Sequence, residues 1–160
     1  MTQQEDQENP SLITRRGVLY SGAIAVAAGG IFATRWFNIG AEISDTDLSV
    51  EDAYRRALNG EVVLVDIRRP DEWALTGIGV GAVPIDMRRD DFTDALLAAT
   101  KGDTAIPVAL ICARGVRSRR MSIKLTKAGF ANIIDVPEGM LGSGAGPGWL
   151  KRGLPVVKPG

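Results

Sequence analysis

Hydrophobic and polar positions divide this chain into an unpatterned start, one uninterrupted apolar run, and a long stretch of alternating short elements. Residues 1–14 are polar and acidic, with Glu5, Asp6 and Glu8, and show no apolar period, so they are expected to be a disordered tail. From Gly17 to Ala33 no charged side chain interrupts the sequence. From Asp45 onward the pattern predicts strands and helices in turn. Ser49 is an expected N-cap with Asp52 three residues on, opening a helix that reaches Leu58 and stops at Asn59-Gly60. Residues 62–66 (VVLVD) form a continuous apolar run of the kind found in buried parallel strands. Pro70 opens a short helix through Glu72 and Trp73, and 82–85 (AVPI) is a short strand whose Pro84 suits a sheet edge. A helix over 91–99, a strand over 107–111 (PVALI), a helix over 116–128 and a strand over 132–136 complete the series. On the last helix Met121, Leu125 and Ala128 are expected to share the buried face, with Gly129 ending it. Buried strands that alternate with helices imply an α/β fold, an open parallel sheet with helices on both faces.

Composition narrows the chemistry. The 160 residues are 45% hydrophobic and 24% charged, with 19 Lys plus Arg against 19 Asp plus Glu. Such proportions are globular, and the balanced charge argues against a general nucleic-acid binder. The single cysteine excludes an internal disulfide. The absence of histidine removes Ser-His-Asp and Cys-His mechanisms and every His-ligated metal site, and no cofactor is expected.

That cysteine, Cys112, directly follows the strand 107–111 and precedes Ala113-Arg114-Gly115-Val116-Arg117-Ser118 and a helix. The carboxyl ends of parallel strands are where open α/β sheets place ligands. The free N–H groups and dipole of the following helix favour an anion, and Gly115 permits a turn closed to other residues. Arg114, Arg117, Arg119, Arg120, Lys124 and Lys127 crowd the region, with no acidic residue between Cys112 and Lys127. This local field favours a nucleophilic thiolate and an anionic substrate without an imidazole.

The segment Cys112–Ser118 resembles the active loop of the rhodanese family of sulfurtransferases, Cys-x-x-Gly-x-Arg-Ser. The likeness runs from about residue 45 to 157: Asp66-Ile67-Arg68 followed by Glu72-Trp73, Gly81-Ala82 with Ile85, Gly139-Met140, and Trp149 followed by Gly153-Leu154-Pro155. It implies a rhodanese-like open parallel sheet over 45–160. It also implies a Cys112 persulfide formed from a small anionic sulfur donor such as thiosulfate and passed to cyanide, a thiol or a protein acceptor. Ala113, Arg114, Gly115, Val116, Arg117 and Ser118 would cradle the substrate, with Arg117 and Arg114 on the anion and Ser118 bonding within the loop. The chain departs from the family pattern in having Ala113 where an arginine is common and no histidine near Gly77-Ile78-Gly79-Val80-Gly81. It also carries a glycine-rich stretch, Gly142 to Gly148, expected to border the site.

The same residues bear on two other assignments. A Cys-x5-Arg phosphatase or arsenate reductase needs arginine at 118, where the chain has Ser. A non-catalytic sulfur-relay or binding module for an exported partner is the alternative of a different class. Arg68 and Glu72 are expected to form a structural ion pair, and Gly77-x-Gly79-x-Gly81 lacks nucleotide-loop spacing and is taken as a turn.

Residues 1–44 are expected to be an address. Thr14-Arg15-Arg16-Gly17-Val18-Leu19 and the run behind it resemble a bacterial twin-arginine export signal, with Val18 where phenylalanine is usual. The resemblance implies the twin-arginine translocase as a partner and a periplasmic location. A helix over 17–33 rises about 25 Å against a hydrocarbon core of about 30 Å. The segment is therefore read either as a cleaved signal or as an inner-membrane anchor with Trp36 and Phe37 at the interface.

Overall fold

The computed structural model describes residues 30–160. The paired arginines and the run 17–29 lie outside the described residues. The chain divides into two compact units that meet at Trp36/Phe37. In the first, residues 30–36 are helical, and the Phe32 and Trp36 rings stack with centroids 5.9 Å apart, one helical turn along the same face. Among the described residues no helix is long and apolar enough to cross a membrane.

The second unit holds α1 (Val50–Leu58), β1 (Val63–Asp66), α2 (Pro70–Thr76), β2 (Ile78–Gly79), β3 (Ala82–Pro84), α3 (Phe92–Ala99), β4 (Val108–Ile111), α4 (Val116–Lys127), β5 (Ile133–Val136) and β6 (Val156–Val157). Four strands make a parallel sheet in the order β3-β1-β4-β5. The most apolar runs, β1 and β4, take the two interior positions. The strand containing Pro84, which cannot donate to a ladder, lies at an edge. This is the α/β architecture expected from the alternating pattern.

Side chains alternate across the sheet with a period of two. On one face Val65, Val108, Leu110 and Cys112 pack with Phe92 and Leu96 of α3 and Met121 and Leu125 of α4. On the other, Leu64, Ala109 and Ile111 pack with Val50 and Ala53 of α1, Met140 and Trp149. Both faces are therefore dry, which is why β4 shows an unbroken apolar run.

Local chemistry sets the helix ends. The Ser49 hydroxyl accepts from the Asp52 amide at 3.1 Å, and the Val50 amide donates to the buried Glu138 carboxylate at 2.6 Å. Glu138 thus caps α1 from a distant loop and also accepts from Arg152 at 3.1 Å. The turn expected at Gly77–Gly81 includes β2, which pairs antiparallel with β6. Gly79 is required by packing, since a Cβ there would come within 2.8 Å of the Trp149 indole.

Two expectations are corrected. Ala128 is exposed, because α4 ends at Lys127 and Ser118 joins Met121 and Leu125 on the buried face instead. Arg68 does not pair with the Glu72 carboxylate. Its guanidinium grips Asp66 through Nε at 2.9 Å and Nη2 at 2.7 Å, and reaches the Thr76 hydroxyl and Gly77 carbonyl, each at 2.7 Å. It touches Glu72 only at the main-chain carbonyl.

Asp66 and Arg68 are both essentially excluded from solvent, at 0% and 1% exposed. Arg68→Met strands a buried carboxylate and is expected to cost about 3–5 kcal/mol in urea denaturation. Replacing both partners with apolar residues is expected to cost less than Arg68→Met alone.

Candidate active site

Cys112 lies one residue beyond β4, at the carboxyl end of an interior strand. Its carbonyl accepts from the Met140 amide at 2.9 Å, and the Ala113 carbonyl accepts from Leu141 at 2.9 Å, so the start of the loop is pinned to the chain after β5. The side chain is buried, 1% exposed, beside aliphatic neighbours. It nevertheless faces the beginning of α4: the Ser118 hydroxyl lies 3.6 Å from Sγ. That hydroxyl also donates to the Gly115 carbonyl at 3.0 Å, in keeping with the within-loop bond expected of Ser118.

Gly115 is the N-cap of α4 and adopts a left-handed conformation, φ 80° and ψ −20°. A Cβ there would also lie 2.3 Å from the Pro137 carbonyl oxygen, so conformation and space both demand glycine. Gly139 has φ 67°, and its own Cβ would fall 2.6 Å from the Ala113 carbonyl. The two glycines let the loop and the chain after β5 approach backbone to backbone.

One consequence concerns hydrogen bonding. The first α4 bond runs from the Arg119 amide to the Gly115 carbonyl, at 3.1 Å. Among the described residues, no protein acceptor takes the amide protons of residues 113–118. Six consecutive donors are thus available at the helix start, the arrangement that holds an anion in a concave main-chain site.

The side chains of the loop are held from outside it. Arg117 makes a two-pronged ion pair with Glu72 of α2, at 2.7 and 2.6 Å. Glu72 raises the guanidinium's proton affinity; burial opposes this and Cys112 adds to it. Burial pushes the Glu72 carboxyl up, but Arg117 and the Arg69 amide outweigh it and hold the group below the usual carboxylate range. Arg114 donates to the Gly142 carbonyl at 3.1 Å and lies over the Phe37 ring, 4.7 Å from its centroid. Its own carbonyl accepts from Asn38 at 2.8 Å. The glycine-rich stretch therefore does border the loop. With Phe37, Ile39, Arg114 and Lys151 it lines a cavity of about 680 Å³.

Four residues near the loop, Glu72, Phe37, Asn38 and Asp135, are not among the site residues the sequence pattern predicts. Glu72 was assigned to Arg68; Phe37 and Asn38 were placed in the export segment. Asp135, within β5, is buried, and neither carboxyl oxygen has a hydrogen-bond partner among the described residues. Burial first, and the charge of Asp47 after it, push its carboxyl up to about 6 against the pull of Ser118 and Arg119. The one available signal was an acid inside an otherwise apolar strand.

Comparison with known proteins gives the family and the fold. The Rhodanese-like domain matches residues 49–142, more than half of the chain, and the protein belongs to that family. A solved polysulfide-sulfur transferase from Wolinella succinogenes is 26% identical, with TM-score 0.54, covering 82% of this chain and 90% of its own. A protein from M. tuberculosis is 27% identical, with TM-score 0.53, covering 71% and 97%. A rhodanese-related protein from Thermoplasma volcanium, 23% identical with TM-score 0.51 and coverage of 71% and 98%, shares the fold. No curated protein matches the chain. Family and neighbours together support sulfur transfer as the general chemistry.

Gly115→Ala must abandon the left-handed cap or displace Pro137. The expected result is a loss of about 1–3 kcal/mol from backbone strain alone, read from the urea midpoint, and a changed rate of Cys112 alkylation by iodoacetamide.

Proposed function

We propose that the protein carries sulfane sulfur on Cys112, taking it from a small anionic donor and giving it to an external thiophile. The observation that carries this is the buried sulfur at the mouth of a loop whose six amides, 113–118, have no protein acceptor among the described residues. With thiosulfate as donor, the Cys112 thiolate attacks the outer sulfur. A sulfur–sulfur bond forms to Cys112, the donor's own sulfur–sulfur bond breaks, and sulfite leaves with the electron pair. The outer sulfur of the persulfide is an anion, and the loop amides are the donors that would hold it. Cyanide or a thiolate then attacks that outer sulfur, and the Cys112 thiolate is the leaving group. The chain has one cysteine, so no second thiol of this sequence can resolve the persulfide.

In this reading Gly115 and Val116 contribute main-chain donors, as do Ala113 and Arg114. Arg117 supplies the nearest positive charge while Glu72 fixes its orientation, and Arg114 stands at the rim by the glycine-rich stretch. A polysulfide is a second donor of the same class, the one handled by the Wolinella succinogenes protein. Thiosulfate is expected to add the mass of one sulfur atom to the intact protein. Cyanide should remove it, and Cys112→Ser should never acquire it. No gain in mass would leave the chain a binding or relay module.

The same reading places the folded unit in the periplasm, delivered by the twin-arginine translocase through Arg15 and Arg16, with residues 17–33 cleaved or kept as an inner-membrane anchor. It rests on the sequence pattern alone. Replacing both arginines by lysine is expected to keep the protein out of the periplasmic fraction of the cell.

A further inference from the structure

A cavity of about 400 Å³ lies between residues 38–44 and the start of α4. Gly115, Arg119 and Asp135 line it, and Cys112 is not among its lining residues. Its polar side chains fall into two sets. The Asn38 amide is committed to the Arg114 carbonyl at 2.8 Å, and the Ser44 hydroxyl to Asp47 at 2.6 Å. Asp135 and Arg119 are uncommitted. Asp135 is 5% exposed, and both of its carboxyl oxygens are buried with no partner among the described residues. In the sheet it sits opposite Leu110, which packs with Met121 and Leu125 of α4, so the Asp135 carboxyl stands on the α4 side as well. Arg119 comes to the same cavity from α4, exposed, and no acid pairs with it among the described residues. Arg117, two positions earlier, is by contrast locked to Glu72 at 2.6 Å. A second acid, Glu42, lines the cavity and is exposed.

Buried carboxylates are nearly always paired, and a buried polar group without a partner calls for a physical reason. An aspartate and an arginine that border one cavity would ordinarily bridge it. These two do not, and the space they share is of a size that holds small molecules. A ligand that satisfies both must bring a cationic donor to the carboxylate and an anionic acceptor to the guanidinium. An α-amino acid carries both on one carbon. Its ammonium has three N–H donors for the two Asp135 oxygens, and its carboxylate suits the guanidinium fork. Ile43 and Pro137 offer apolar surface for a short side chain. We propose that this cavity is a binding site for a small α-amino acid, held by Asp135 at its ammonium and by Arg119 at its carboxylate. Glu42 adds to the attraction for the ammonium. The site uses no sulfur chemistry and does not rest on the function proposed for Cys112.

The test is titration of the full chain with L-alanine by calorimetry, with the Asp135 carboxyl followed by carbon-13 NMR. Ethylammonium and propionate, which each carry one of its charges, serve as separate probes. L-Alanine is expected to move the Asp135 resonance saturably, with a dissociation constant of about 1 mM or below. Each single-charge probe should bind at least about tenfold more weakly, the size of one charge-assisted hydrogen bond. Arg119→Gln should weaken L-alanine by a similar factor and leave ethylammonium unchanged. Asp135→Asn should abolish the calorimetric signal of both. The same variant is expected to raise the urea midpoint, because it removes a buried charge that has no partner, so lost binding there is not lost folding. L-Alanine that leaves the Asp135 resonance unmoved, a single-charge probe that binds as tightly as the whole, or binding that survives in Asp135→Asn overturns the proposal. So does a lowered urea midpoint in Asp135→Asn, which would make the carboxylate part of the scaffold. None of these readings needs a sulfur donor, so failure of thiosulfate to load Cys112 would count against the proposed function and leave this result standing.

Discussion

A sulfur anion inside a protein needs donors that are already in place, because a buried charge without them is expensive. At Cys112 the main-chain amides of 113–118 have no acceptor among the described residues, and the form of the loop depends on keeping them that way. An N–H group left without a partner costs on the order of 1–3 kcal/mol. Six in succession would relax into helix or turn if the backbone were free. The left-handed turn at Gly115, the close approach of Pro137 and the two hydrogen bonds from Met140 and Leu141 deny them that freedom. Apart from the turn at Gly115, these restraints come from the chain after β5. The last parallel strand therefore does more than widen the sheet: it delivers the segment against which the loop is moulded.

Charge around the site differs from the charge along the sequence. Read linearly, α4 is a run of cations with no acid before Lys127. In space, Glu72 reaches Arg117 from α2, and Asp135 of β5 lines one cavity with Gly115 and Arg119. The positive excess at the sulfur is consequently smaller than the run suggests, and under the proposed function more of the binding of an anionic donor falls to the uncharged amides. Dipoles fixed in the backbone bring less nonspecific attraction than free guanidinium groups. The exposed cations farther along α4, Arg120, Lys124 and Lys127, remain on the solvent side.

What the sequence disclosed was whatever depends on short-range pattern. The runs at 62–66 and 107–111 became the two interior strands, and Ser49 became the cap of α1, because those outcomes need only neighbours in the chain. The Cys112 loop was legible for the same reason, being one contiguous strand–turn–helix. Arg68 was misread because the four-residue spacing to Glu72 imitates a helical pair. That rule needs both residues on the helix, and α2 begins at Pro70. Arg68 sits at a bend just past β1, where its own amide also donates to Asp66 Oδ1 at 3.1 Å, so the chain folds its guanidinium back onto the acid two positions before it.

Residues 37–44 and the glycine-rich stretch 142–148 lack any hydrophobic period, and neither announces a fixed structure. Each is fixed by the other. The Gly144 amide donates to the Asn38 carbonyl at 2.9 Å, and a Cβ on Gly144 would meet the Ile39 carbonyl oxygen at 1.9 Å. Glycine here permits close backbone contact rather than mobility. Once docked, the two segments present Phe37 and the Gly142 carbonyl to Arg114, turning the first cation of the loop toward the rim and away from the sulfur. A loop with two arginines thereby gives them different places. Arg117 is locked beside Cys112 by a carboxylate, and Arg114 is locked at the entrance by an aromatic face and a carbonyl. Neither place can be inferred from the seven residues of the loop alone, because each is chosen by a partner at least 28 positions away in the chain.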